Sequence, residues 1–206
     1  MDGETRGSST ERERERAWIA DFLAGDRSAF DSLVLRHQDM VFNLCYRMLG
    51  DREDADDCSQ EVFVKVYRSL KDFRFDSSFS TWLYRIAVNT CRNHLKSTAF
   101  RFRRKTVRID PPDDAGEGRS ISDVADPAPS ALMLMEQKER ELLVQRAVDA
   151  LPRDSRAVIV LRDVEGLPYD DIARITGHKP GTVKSRLARA RNQLRDALKK
   201  VLSPRI

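Results

Sequence analysis

The chain has 206 residues, of which 40% are hydrophobic and 34% charged. This composition is typical of a folded, salt-bridge-rich helical protein and excludes a largely disordered chain. The formal net charge is only +4, but acidic residues gather at 51–57 and basic residues gather at 101–105 and 184–200. Basic clusters of this kind attract a phosphate backbone, so a nucleic-acid partner is expected.

The cysteines and the N-terminal segment indicate the cellular compartment in which the protein works. Cys45, Cys58 and Cys91 are odd in number and form no C-x-x-C pair, so neither a disulfide framework nor a zinc cage is expected. Cys91 and His94 lie one helical turn apart, but no further ligands follow nearby, and we expect ordinary packing there. No apolar run approaches a membrane span, and segment 1–16 is too charged for a signal peptide. The sequence therefore predicts a cytoplasmic protein without membrane insertion, metal or cofactor.

Apolar residues fall at spacings of three and four rather than two, which predicts an all-α fold. In the first block, helices are predicted at 11–23, 26–49, 52–70 and 79–96. Asp26 is the expected N-cap of the second helix, and either Ser78 or Ser80 is the expected N-cap of the fourth. Gly25 and Gly50 mark helix ends. The Glu-Arg alternation at 11–16 predicts a solvated helix start.

A stretch rich in Pro, Gly, Asp and Ser, residues 110–129, has no apolar stripe and predicts a linker. Beyond it, helices are predicted at 132–150, 154–164, 169–176 and 181–201. Pro152, Pro168 and Pro180 stand where helices are expected to start. The resulting division is a charged N-terminal segment with a first helix (1–25), a small helical domain (26–100), a flexible linker (101–130) and a second small helical domain (131–206).

The second domain has the spacing of a helix-turn-helix. Ala173 allows two helices to approach closely, Gly177 can take the positive φ of the turn, and Val183 anchors the second helix in the core. That second helix has an apolar face, formed by Val183, Leu187, Ala190, Leu194 and Leu198.

The opposite face of the same helix is polar and comprises Lys184, Ser185, Ala188, Arg189, Asn192 and Arg195. Because a recognition helix enters the major groove with its N-terminal part, Lys184, Ser185 and Arg189 are predicted to contact base edges. The flanking cations Lys179, Arg186 and Arg191 are predicted to contact phosphates. The alternative is a surface helix with solvated charges.

The fourth predicted helix has an aromatic, amide and cationic stripe formed by Trp82, Arg85, Asn89, Arg92, Asn93 and Lys96. An unpaired strand is held by aromatic side chains that stack on its bases, by amide side chains that hydrogen-bond to base edges, and by cations that contact its phosphate backbone. Just before it, Phe75 and Phe79 bound a segment that is predicted to form a pocket for a base swung out of the stack. The alternative is that Trp82 and the phenylalanines are core residues, which for any single aromatic is the more frequent case.

The third predicted helix has an outward face formed by Asp57, Gln60, Glu61, Val64 and Arg68. An acidic face repels nucleic acid but suits a protein partner with basic side chains. A merely solvated face is the alternative.

Several of these segments together resemble the extracytoplasmic-function sigma factors of RNA polymerase, over 26–202 except the linker. They are DCSQE at 57–61, FSTWLYRIAVN at 79–89, and GTVKSRL at 181–187 followed by Arg189-Ala190-Arg191. The resemblance implies that Asp57, Gln60 and Glu61 dock on the clamp helices of the largest polymerase subunit.

For promoter DNA, the resemblance implies that the segment at 79–89 reads the minus-ten element, with Asn89 and Asn93 on the displaced strand. It also implies that the helix beginning near Thr182 reads duplex DNA at the minus-thirty-five element. Core RNA polymerase, duplex and single-stranded promoter DNA and an inhibitory anti-sigma protein are the implied partners. Ala188 departs from relatives that have a larger side chain there, so contacts at that promoter step are open.

Two other classes compete with this interpretation. A helix-turn-helix regulator that acts without polymerase would bind duplex DNA tightly by itself. A nuclease would use Asp51, Asp54, Asp56 and Asp57 to hold a metal, but carboxylates at a helix start favour its dipole, and no nucleophile, base or phosphate loop accompanies them. We therefore expect a protein that is not an enzyme.

Overall fold

The computed structural model describes residues 3–97 and 131–202. The predicted linker and the basic cluster at 101–105 lie outside the described residues. Within the described ranges every regular element is helical, in agreement with the predicted all-α class. In these same ranges, no helix combines the length and the apolar character needed to cross a membrane.

The helices of the first block follow the predicted order. They are α1 (Gly3–Leu23), α2 (Arg27–Leu49), α3 (Arg52–Ser69), a 3-10 turn (Leu70–Asp72) and α4 (Phe79–Lys96). The Asp26 side chain accepts a hydrogen bond from the Ser28 N–H at 2.9 Å, which confirms the predicted cap of α2. Ser78 Oγ accepts from the Thr81 N–H at 3.1 Å, so Ser78 rather than Ser80 caps α4.

The second block contains α5 (Ala131–Asp149), α6 (Arg153–Ile159), α7 (Tyr169–Thr176) and α8 (Pro180–Leu202). The single helix predicted over 154–164 is divided, because α6 passes at Val160–Val164 into a wider π-helical turn. Pro152 and Pro168 occupy N-cap positions, and Pro180 is the first residue of α8, as their missing N–H groups favour.

The predicted solvated helix start at 11–16 is confirmed for Arg12, Glu13, Arg14 and Arg16, which are exposed, but not for Glu15. α1 begins at Gly3, earlier than predicted, and packs against α2. Glu15 is only 6% exposed, and its carboxylate lies 2.9 Å from Nε2 of His37. A buried carboxylate requires such a partner, so this position of the Glu-Arg alternation belongs to the core rather than to solvent.

The two blocks pack directly on each other, with α4 against α7 and α2 against α5 and α6. The Tyr84 hydroxyl donates to Glu165 at 2.6 Å across this contact. Burial and this neighbouring carboxylate raise the pKa of Tyr84. The guanidinium of Arg156, 2% exposed, donates to the Met48 carbonyl at 2.5 Å. The buried apolar residues of both blocks consequently form one continuous core.

Candidate nucleic-acid and polymerase interfaces

The helix-turn-helix predicted from the sequence is present as α7, a turn and α8. Gly177 has a φ of 74°, and its N–H donates to the Ala173 carbonyl at 2.9 Å. Val183 is fully buried. Each of the three residues therefore has the steric role expected of it.

The predicted division of α8 into two faces is confirmed by burial. Val183, Leu187 and Ala190 are buried, and Leu194 packs against the core. The exposed residues of the N-terminal half include Thr182, Lys184, Ser185, Ala188, Arg189 and Arg191. The face available to a DNA groove is therefore the one that the sequence indicated.

Acidic side chains of the same block already bind the flanking cations of α8. Arg186 donates to Asp154 at 3.2 Å, and Arg191 donates to Asp163 at 3.0 Å and 2.5 Å. The hydrogen bonds that Arg191 donates to Asp163 also raise the pKa of Arg191. A phosphate contact by either arginine would therefore have to replace a carboxylate.

On α4 the amide and cationic part of the predicted stripe is exposed, as expected for Arg85, Asn89 and Asn93. Trp82 is different: it is 8% exposed, and its ring lies 5.1 Å from that of Phe73. The predicted outward orientation of Trp82 is therefore wrong for this structure. The reason is tertiary, since the loop before α4 folds back and supplies an aromatic cluster that also buries Phe79.

A cavity of about 190 Å³ lies where the sequence predicts a base pocket. Its walls include Phe73 and Phe75 from the loop, Phe79 from the start of α4, and Arg12 and Arg16 from α1. Phe75 is 41% exposed and has a φ of 58°, a strained conformation for an aromatic residue. The Arg16 guanidinium carbon is 5.5 Å from the centre of its ring.

The contribution of α1 to this cavity was missed by sequence reasoning. The Glu-Arg alternation gives no indication of which arginines turn toward the loop before α4.

The outward face of α3 is exposed at Asp57, Gln60 and Glu61, and its Val64 is 46% exposed. Glu61 lies 2.7 Å from Nζ of Lys65 on the same helix. The predicted acidic, partly aliphatic surface is therefore present and open.

Two other acidic residues of this region, Asp51 and Asp54, have structural partners. Asp51 caps α3 by accepting from the Asp54 N–H at 2.9 Å, and Asp54 is buried with its carboxylate 3.1 Å from His94 Nε2. In the part of the chain that the structure describes, the four carboxylates of the nuclease alternative do not gather into a metal-binding group.

The three cysteines do come together, which the sequence did not show. Cys45 on α2, Cys58 on α3 and Cys91 on α4 are buried, and Cys91 Sγ lies 3.6 Å from the sulfur of each of the other two. His94 is turned toward Asp54 instead. Each cysteine lies on the buried stripe of its own helix, which is the only indication in the sequence that they face a common core.

The fold and these surfaces define an all-helical protein of the DNA-binding class, in which a helix-turn-helix accompanies a second helical block with an exposed acidic face. Comparison with known families specifies that class further. Residues 33–101 match the model of Sigma-70 region 2, and residues 141–194 match that of Sigma-70, region 4.

Curated relatives agree over most of the chain. The RNA polymerase sigma-H factor of Pseudomonas aeruginosa is 37% identical over 93% of this chain and 97% of its own length. The ECF RNA polymerase sigma-E factor of Haemophilus influenzae is 36% identical over 91% of this chain and 97% of its own length. The ECF RNA polymerase sigma-E factor of Escherichia coli strain K12 is 38% identical over 82% of this chain and 86% of its own length. The chain belongs to the extracytoplasmic-function RNA polymerase sigma factors.

Solved structures show the same fold. CnrH, in complex with the cytosolic domain of CnrY, is 27% identical with a TM-score of 0.60, over 92% of this chain and 99% of that one. The sigma factor RpoE of Bartonella quintana, in complex with the anti-sigma factor NepR, is 23% identical with a TM-score of 0.61. The match covers 82% of this chain and 96% of that one.

Proposed function

We propose that this chain directs core RNA polymerase to promoters, helps to open them, and acts in the cytoplasm without being an enzyme itself. One observation supports this most directly. A single chain with sigma-factor relatives exposes the polar face of a helix-turn-helix, an amide-rich stripe on α4 and an acidic face on α3. In this proposal residues 26–100 form region 2, residues 101–130 the linker and residues 131–206 region 4.

At the minus-thirty-five element, Lys184, Ser185 and Arg189 contact base edges, while Lys179, Arg186 and Arg191 hold the phosphates. Thr182 belongs to the same DNA-binding set. The exposure of Lys184, Ser185 and Arg189 on the N-terminal half of α8 supports the base contacts. Exchange of a base-reading residue should cost about 1–3 kcal/mol per contact and change the preferred upstream sequence in a randomised-promoter selection. Arg195→Ala, an exposed change further along α8, is the control. An unchanged preference in the Lys184, Ser185 and Arg189 variants would refute the assignment.

At the minus-ten element, Arg85, Asn89 and Asn93 hold the displaced strand. The neighbouring cavity with Phe75 and Phe79 accepts one unstacked base, and Trp82 supports its aromatic wall. The strained φ of Phe75 supports this role, because strained residues concentrate at ligand sites. Stacking of about 1–3 kcal/mol per base is large enough to offset the opening of a few pairs.

Asp57, Gln60 and Glu61 dock on core polymerase, and their open position on α3 supports this. Glu61→Lys should weaken retention of core enzyme in a pull-down by reversing the charge of the docking face. Glu53→Lys makes the same charge change at an exposed position in the first turn of α3 and serves as the control. Equal retention by both variants would remove Glu61 from the docking surface.

An anti-sigma protein is the proposed regulator. Its support is that the matched CnrH and RpoE structures both contain a bound partner, which for RpoE is an anti-sigma factor.

The decisive experiment is reconstituted transcription with core polymerase and a genomic promoter library. The proposed function predicts selective initiation only when both the chain and core enzyme are present. The alternative, a regulator that acts without polymerase, predicts tight sequence-specific duplex binding by the chain alone and no start-site selection.

A further inference from the structure

The most concentrated cluster of reactive side chains outside the proposed interfaces is the group of three thiols in the first helical bundle. Cys45, Cys58 and Cys91 are at most 1% exposed. Cys91 Sγ is 3.6 Å from Cys58 Sγ and 3.6 Å from Cys45 Sγ, and all three sulfurs lie within 4.8 Å of one another. Three soft donors from three different helices therefore face one point.

The sulfur of Cys91 is within hydrogen-bonding distance of the other two sulfurs. A thiolate is the form that binds metals, so an incoming ion displaces the thiol protons.

The number and spacing of the sulfurs restrict the type of ion. His94, one turn after Cys91 on α4, has its Nε2 3.1 Å from Asp54 and is not a member of the cluster. Structural zinc sites use four ligands in tetrahedral geometry, which this group does not supply. With metal–sulfur bonds of about 2.3 Å, sulfurs 3.6 Å apart subtend about 100° at the ion. That angle is typical of a pyramidal three-coordinate centre.

Burial restricts the charge of the ion as well. Three thiolates around a monovalent or divalent ion leave a net negative charge inside an apolar core, and an uncompensated buried charge is costly. A trivalent ion gives a neutral unit. Soft thiolate ligands also select thiophilic ions over those that prefer oxygen.

We propose that Cys45, Cys58 and Cys91 form a binding site for one trivalent thiophilic ion of the arsenic(III) and antimony(III) type. Binding of arsenous acid breaks three arsenic–oxygen bonds and forms three arsenic–sulfur bonds. Each thiol proton leaves with a hydroxide as water, and no atom changes oxidation state. The inference does not depend on the proposed function, because it concerns only the bundle of α2, α3 and α4.

The position of the cluster gives an occupied site a structural effect. On α3, Cys58 lies two residues before Gln60 and three residues before Glu61. On α4, Cys91 lies midway between Asn89 and Asn93. A bound ion would cross-link the helices that present these side chains and would raise the stability of the bundle.

The test uses the full reduced chain, kept free of oxygen and mixed with arsenite. One sample is incubated folded, and a second is refolded from urea with arsenite present, since the sulfurs are buried. Native mass spectrometry should show one arsenic per chain with the loss of three hydrogens. X-ray absorption should show three sulfur neighbours and no oxygen, and the thermal midpoint should rise by several degrees or more at saturating arsenite.

Cys91→Ser removes the thiol that lies next to both others and should weaken arsenite binding by more than about tenfold, or 1.4 kcal/mol. Val88→Ala is the matched control, because Val88 is fully buried on the same helix and its truncation leaves every thiol in place. This variant should keep one arsenic per chain even if it is less stable.

The proposal would be overturned if neither the folded nor the refolded sample formed a one-to-one complex with arsenic. Unchanged arsenite affinity in Cys91→Ser, or oxygen neighbours on the bound arsenic, would overturn it as well. A three-sulfur complex with copper(I) or zinc that excludes arsenite in competition would overturn the trivalent assignment. Such a result would mean that net charge does not select the ion.

Discussion

Gly50 and Gly177 have almost the same backbone conformation, with φ of 76° and 74°. In this left-handed region any other L-residue loses roughly 1–2 kcal/mol. Their surroundings differ. A Cβ at Gly177 would meet open space, whereas a Cβ at Gly50 would strike the carboxylate of Asp149 on α5. Gly50 is thus a point of close approach between the two blocks.

Both Gly177→Ala and Gly50→Ala should lower the free energy of unfolding by about 1–2 kcal/mol through the backbone alone. Gly50→Ala should in addition displace Asp149, which accepts from Gln145 at 3.1 Å, and loosen α5 on α2. Urea denaturation measures the first effect, and small-angle X-ray scattering measures the second. Gly177→Ala is the control for expansion of the molecule. Equal dimensions in the two variants would contradict a packing role for Gly50.

At the scale of the element, α4 shows how local and tertiary factors combine in one helix. The first residue of α4 is determined locally, because Ser78 is the N-cap and its Oγ accepts a hydrogen bond from the Thr81 N–H. The orientation of α4 is determined by tertiary packing, since one side contacts α2 and α3 and another contacts α7. The face that remains presents Asn89 and Asn93. The N-cap therefore fixes the end of the helix nearest the aromatic cavity.

Ser78→Ala should lower the free energy of unfolding by about 1 kcal/mol, because an N–H of the first turn of α4 loses its acceptor. Ser80→Ala should cost less, since Ser80 lies inside the helix and does not cap it. Urea titration followed by circular dichroism gives both values. A larger loss in Ser80→Ala than in Ser78→Ala would show that the helix end is not fixed by the cap.

At the scale of the whole molecule, the docked blocks bring two predicted nucleic-acid cations to one carboxylate. Arg92 of α4 lies 3.5 Å from Asp154, and Arg186 of α8 lies 3.2 Å from its other oxygen. Asp154 is the second residue of α6. A contact of either arginine with nucleic acid would have to replace this carboxylate.

Asp154→Asn should raise the affinity of the free chain for a minus-thirty-five duplex by a few fold, because exposed ion pairs contribute about 0.2–1 kcal/mol each. Fluorescence anisotropy at constant low salt measures the change. Asp170→Asn makes the same change in net charge at an exposed position of α7 and should have a smaller effect. Equal gains in both variants would indicate general electrostatics rather than release of Arg92 and Arg186.

The sequence by itself determined the order of the helices, the cap of α2 and the two faces of α8. These features depend on interactions within a few residues: the 3.6-residue repeat that buries Val183 and Leu187, the side-chain oxygen of Asp26, and the left-handed conformation that Gly177 adopts. The exposed positions of Glu61 and Arg189 follow from the same repeat. The residues of the proposed interfaces on α3 and α8 could therefore be selected without a structure.

Only the tertiary structure decided the contacts between residues far apart in the chain. Trp82 belongs by spacing to an outward stripe, but the loop before α4 buries it against Phe73. Cys45, Cys58 and Cys91 lie on separate helices, and the angles at which those helices cross bring their sulfurs together. The docking of the two blocks is also a tertiary feature. It includes contacts such as that between Tyr84 and Glu165, which no local sequence pattern predicts. Helical periodicity specifies which side of a helix is buried, but the neighbour that buries it is specified only by the packing of the complete chain.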